Sequence, residues 1–176
     1  MLKKVRGFTL IELLIVVAIL GILAALLIPN AITAIQKAKQ KSTMKDIVVI
    51  STAVTDYVTD NGVTPVQDGT YTASAVFYTG LSPFYIKVLP LTDQWGTPYN
   101  AYCGLAANVF GITGAAGDDF VIASYGRAGL AEGFSFDATQ PELGMFIVSQ
   151  SSHFNNDLIM WNGSWIRAPR TAAAGT

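Results

Sequence analysis

"KKVRGFTLIELLIVVAILG", residues 3–21, sets the problem that decides the fold: a run apolar enough for a bilayer carries one glutamate, Glu12, just inside its start. From Phe8 to Ile28 there are 21 residues with Glu12 as the only charge. At about 1.5 Å rise per residue they span roughly 31 Å as a helix. That length matches a hydrocarbon core about 30 Å thick. A carboxylate in lipid costs free energy unless something neutralises it, so Glu12 is a functional residue by default.

Upstream of the run stand Lys3, Lys4 and Arg6. A short basic leader before an apolar stretch has three readings: a signal peptide, a permanent anchor, or a leader removed ahead of the apolar run. A signal peptide is cut after its apolar core, and "LGILAALLIPNAITA" does offer small residues there. Against it, the core is long for that class and Glu12 interrupts its start. Charge counting leaves orientation open, because Lys37, Lys39, Lys41 and Lys45 follow within about 20 residues of the run.

Downstream, Ala31, Ile32, Ile35, Ile47, Ile50, Val54, Tyr57 and Val58 continue a stripe at three- and four-residue steps, and Asn61-Gly62 supplies a stop. The pattern predicts a helix from Phe8 to Asp60, roughly 80 Å long if unbroken. A domain of this size cannot bury that length. The half at 8–28 must face lipid or other subunits, and the amphipathic half at 29–62 can pack on a domain. Gly21 and Pro29 bracket a weak point: proline has no N–H for the carbonyl of Ala25, and glycine is about 1 kcal/mol poorer than alanine in a helix. Lys37, Lys41 and Lys45 share one face, read as solvated or as meeting acids of neighbouring subunits.

The chain has 176 residues, enough for one domain with an appendage. Cys103 is the single cysteine, which excludes an internal disulfide and reads as a buried thiol. Removing residues 1–7 leaves eight Lys and Arg against twelve Asp and Glu, a poor balance for binding nucleic acid, and none is expected as a partner. His153 is the only histidine and reads as a surface or strand-end residue. There is no G-x-S-x-G elbow, H-E-x-x-H pair or P-loop, and "GITGAAG" at 111–117 has the wrong spacing for a dinucleotide loop. The chain therefore reads as a structural protein and not an enzyme.

Residues 63–170 read as a small globular region with turns at Pro65, Pro83, Pro90 and Pro98. Strands are predicted over Tyr99 to Tyr102, over Phe120 to Tyr125 and in "GMFIVSQSS". "DLIMWNGSWIRA" reads as a hairpin turning at Asn162-Gly163. Its register puts Ile159, Trp161 and Ile166 on one face, and Leu158, Met160, Trp165 and Arg167 on the other. One face is expected on the helix and the second against a partner. "NGS" matches a glycosylation pattern that the turn already explains. Residues 171–176 read as a mobile tail.

"RGFTLIELLIVVAILGILAALLIPN" resembles the N-terminal segment of the type IV prepilins and pseudopilins, with Gly7, Phe8, Glu12, Gly21 and Pro29 in the family's register. The resemblance implies an α+β, type IV pilin-like fold: a long N-terminal helix packed on a small antiparallel sheet. It implies a leader, residues 1–7, cut by prepilin peptidase between Gly7 and Phe8, methylation of the Phe8 amine, and a periplasmic domain anchored in the bacterial inner membrane. Glu12 then meets the Phe8 ammonium of a neighbour during assembly, with an intrachain contact as the alternative. Residues 21–29 are expected to lose helicity on assembly. The implied partners are further copies of the chain, minor pilins or pseudopilins, an inner-membrane platform with its ATPase, and lipid before assembly.

"LPLTDQWGTPYNAY" and "DDFVIASYGRAG" resemble the major pseudopilin of type II secretion, through Asp93, Trp95, Gly96, Pro98 and Tyr99. A type IV pilus subunit, for adhesion, twitching or DNA uptake, is the alternative. The next loop departs from the pseudopilin pattern. "GRAGLAEGFSFDATQPE" has Ala128 where that family has an aspartate of its calcium loop. No cofactor is expected; calcium is the one ion the resemblance raises, with Glu132, Asp137 and Glu142 as remaining candidate ligands. Arg127 is expected to brace the loop by pairing with one of these acids.

Overall fold

A computed structural model describes residues 7–170. The basic side chains through Arg6 and the tail at 171–176 lie outside the described residues. The chain forms two compact units divided after Lys37, inside one long helix, α1, Leu10–Asn61. In the first unit no residue from 7 to 35 is buried, and Leu10, Leu26 and Leu27 are each more than two-thirds exposed. Apolar side chains left bare over this length need lipid or protein from outside the chain. The helix is continuous through Gly21 and Pro29. Asn30 Nδ2 donates to the Leu26 carbonyl at 3.2 Å and Thr33 Oγ1 to the Pro29 carbonyl at 3.0 Å, adding side-chain bonds where proline removes a backbone one. The helix stops as expected: the Gly62 N–H bonds the Val58 carbonyl at 2.7 Å, and Gly62 has φ of +73°, a conformation that suits glycine.

The second unit holds the C-terminal part of α1, a short helix α2 (Val76–Leu81), and six strands: β1 (Asp68–Thr70), β2 (Asn100–Cys103), β3 (Phe120–Ser124), β4 (Met145–Ile147), β5 (Leu158–Trp161) and β6 (Ser164–Arg170). They form one sheet in the order β1-β2-β3-β5-β6-β4. The α+β fold with a long helix on a small sheet stands, with one correction. β4 pairs with β6 in parallel, through Met145 opposite Ala168, so the sheet is mixed. "GMFIVSQSS" is strand only over β4; beyond it the chain bends and coils into a 3-10 turn at Ser151–Asn155, which holds His153.

Alternation along the strands divides the core. Phe120, Ile122, Leu158 and Met160 point to the side where Ile47, Ile50, Ala53 and Val54 of α1 are buried, together with Tyr71, Phe77, Leu81 and Tyr99. Val121, Ala123, Ile159 and Ile166 point to the other side. The hairpin faces are as predicted for Ile159, Trp161 and Ile166 and for Leu158, Met160 and Trp165, with Asn162 (φ +45°) and Gly163 (φ +81°) making the turn. A register shift between Ile159 and Met160, however, sets Arg167 opposite Ile159 and not on the predicted face. The second face is not left for a partner, however. Ala107, Ile112 and Ala115 are buried against it, and Phe110, Phe134 and Phe136 pack there.

Candidate functional site

The start of α1 places Glu12 in a reciprocal cap. The Thr9 backbone N–H and the Thr9 hydroxyl donate to Glu12 Oε2 at 2.9 and 2.8 Å, and the Glu12 N–H donates back to Thr9 Oγ1 at 3.3 Å. This is a capping box, which satisfies donors that a helix start leaves unpaired. Thr9 is the site residue that the sequence reading missed, although Thr-x-x-Glu before an apolar run is its signature. Both Thr9 bonds fall on Oε2, and Oε1 takes neither of them. Gly7 and Phe8 precede the helix and are exposed, Phe8 by 80%. The Gly7-Phe8 bond thus lies outside the helix, in backbone with no regular secondary structure.

The Asp-x-Trp-Gly-x-Pro segment is a tight loop built on one buried carboxylate. Asp93, 5% exposed, accepts the Trp95 and Thr97 N–H groups at 2.9 Å each on Oδ1, and the Ser124 hydroxyl at 2.7 Å on Oδ2. Gly96 has φ of +91°, where any Cβ is strained, and a bridge between Thr92 and Pro98 closes the loop. The segment is tied to α1 as well. Tyr99 Oη and Gln94 Nε2 both donate to Asp46 Oδ2 at 3.1 Å, and the Gln94 N–H donates to Thr43 Oγ1 at 3.3 Å. These residue types are a structural signature, since both oxygens of Asp93 and the Tyr99 hydroxyl are spent on the loop, on β3 or on the helix.

The three calcium candidates are not brought together. Glu132 pairs with Arg167 and also accepts the Asp157 N–H at 2.9 Å. Asp137 closes a local turn, accepting the Thr139 N–H at 2.8 Å and its hydroxyl at 2.7 Å. Glu142 pairs with Arg170 at 2.6 Å. Among the described residues no three His, Cys, Asp or Glu side chains stand together as a metal site, so these acids do not fit a calcium ion, which takes six to eight oxygens. Arg127 is corrected too. It donates to Asn155 Oδ1 at 2.9 Å and Ser151 Oγ at 3.1 Å, and leaves the acids to Arg167 and Arg170.

Burial shifts several groups near these elements, Asp157 and Cys103 among them. Desolvation pushes the Asp157 carboxyl up to about 6, helped by the Glu132 charge and opposed by the Glu132 N–H and Arg167. Its Oδ1 is buried and makes no hydrogen bond. Desolvation pushes the Cys103 thiol up to about 12, so it is a neutral core group, as its position in the sequence reading implied. Lys41 and Lys45 are exposed, and among the described residues they form no ion pair.

A family model described as the prokaryotic N-terminal methylation motif matches residues 2–28. The chain is similar to three proteins named type II secretion system core protein G. The one from Vibrio cholerae serotype O1 is 39% identical over 104 residues, 56% of this chain and 70% of the relative. The one from Aeromonas hydrophila is 36% identical, over 55% of this chain and 72% of the relative. The one from Escherichia coli (strain K12) is 36% identical, over 54% and 70%. No solved structure matches the chain.

Proposed function

The chain belongs to the family of the type II secretion system core protein G, the major pseudopilins, and from that premise we propose that it polymerises into a periplasmic pseudopilus that drives protein secretion. The observation that carries the reading is the pairing of two features in one chain. An apolar helix start is left bare of any cover from its own residues, with Glu12 the only charge between Phe8 and Ile28, and it lies in the methylation motif matched over residues 2–28. Such a surface is stable only in lipid or in a bundle of like helices.

The subunit waits in the inner membrane with residues 8–28 in lipid and residues 63–170 in the periplasm. Prepilin peptidase cuts the leader after Gly7, and the Phe8 amine is methylated. Glu12, held by Thr9 through Oε2, offers Oε1 to the Phe8 ammonium of a neighbouring copy. Pairing removes an unneutralised charge from lipid and fixes the incoming subunit's register along the filament. The stretch 21–29, helical in the isolated chain, loosens as the helices pack. An inner-membrane platform with its ATPase performs the extraction, and minor pseudopilins join the same filament. The subunit itself contributes packing and no catalysis.

The test is a deletion of the chain in its native host, with exoprotein release and sheared surface fibres measured in parallel. The reading predicts loss of release, restored by re-expression, with no long surface fibre in the wild type. Long fibres of this subunit with secretion intact in the deletion identify a type IV pilus subunit instead.

A further inference from the structure

We infer that Arg167 is the resident cation of the segment from Gly129 to Ile147, which this chain closes with a guanidinium and not with a metal ion. Arg167 rises from β6, is 12% exposed, and reaches both ends of that segment. At the near end it pairs with Glu132, and its Cζ lies 5.1 Å from the centre of the Phe134 ring. At the far end it donates to the Gly144 carbonyl at 3.4 Å, and its Cζ lies 5.1 Å from the centre of the Phe146 ring. One planar cation held between two aromatic faces thus ties residues 132 and 134 to residues 144 and 146.

The carboxylate it pairs with is fixed from behind. The Glu132 N–H donates to Asp157 Oδ2 at 3.0 Å while the Asp157 N–H donates to Glu132 Oε2 at 2.9 Å. Space at the far end is equally committed, since a Cβ on Gly144 would stand 1.8 Å from the Ile166 carbonyl oxygen. The guanidinium cannot give up its proton. A divalent cation at Glu132 would therefore meet an adjacent positive charge, or would strand that charge between two rings. The loop's acids agree with this, since Glu132 and Glu142 are each paired with an arginine of β6: the positive charge that orders the loop is covalently part of the chain.

The experiment uses the mature full-length chain in detergent, with thermal unfolding in EGTA and in calcium, and chymotrypsin cleavage at the exposed Leu130 and Leu143. The wild type is expected to melt within about 1 °C in the two conditions. Arg167→Gln is expected to raise cleavage in this loop roughly tenfold or more, with no protection returned by calcium. Arg167→Lys, which keeps a charge near the rings but cannot span both ends, falls between. Should Arg167→Gln fail to fold, Glu132→Gln removes the paired charge at nearly constant shape, with the same cleavage and the same indifference to calcium expected. Calcium raising the wild-type Tm by several degrees overturns the inference, as does wild-type protection in the Arg167→Gln or Glu132→Gln loop. None of these outcomes depends on which filament the subunit builds.

Discussion

Asp157 is shut away from water with one oxygen unbonded, and its charge is a cost that the folded state carries alone. Its carboxyl is raised to about 6 from an ordinary 3.8, so between those values the folded chain holds more protons than the unfolded one. Stability from this group is fully present below the lower value and is lost as pH rises through the upper. Asp157→Asn removes the effect. In thermal denaturation, the wild-type Tm minus the variant Tm should be more positive near about pH 4 than near about pH 7.5, and a constant difference contradicts the account. Cys103 gives a second prediction at this scale. With its thiol pushed up to about 12 inside the core, it should not react with a disulfide reagent near about pH 8 until the chain is unfolded, when one thiol should appear.

Elements show how a few polar residues fix the geometry that apolar ones stabilise. The loop around Asp93 holds β2 and β3 to α1, and Asp93→Ala leaves two N–H groups and a buried hydroxyl without their acceptor. The cost is on the order of 3 kcal/mol, read as a lower denaturation midpoint at unchanged slope. A midpoint equal to wild type would show that the loop closes without the carboxylate. This segment, the helix end at Asn61-Gly62 and the hairpin at Asn162-Gly163 were legible because turn chemistry is local. The parallel pairing of β4 with β6 was not, since it joins residues 145 and 168 and no short pattern encodes it. The cover on the second sheet face was hidden for the same reason: Ile112 and Phe136 reach it from loops without periodicity. The Arg167 pairing is likewise a long-range contact, joining residues 132 and 167, and Arg127, expected to hold one of the acids, does not. The Thr9 cap is different, because its Thr-x-x-Glu signature is local, and the same Glu12 carboxylate both caps the helix and stands as the one charge of an apolar run.

For the molecule as a whole, physical chemistry asks what covers an apolar helix that its own chain leaves bare. The filament proposed above answers this, and the family was legible at the N-terminus because its methylation motif is a short contiguous run, residues 2–28. The role of Glu12 is the central claim, and it is measured most directly by expressing Glu12→Ala as the sole copy in the native host. Release of exoproteins should fall to the level of the deletion strain while the cleaved subunit still accumulates in the inner membrane. Release at the wild-type level, with Glu12→Ala subunits still cross-linking into filaments, would contradict the account.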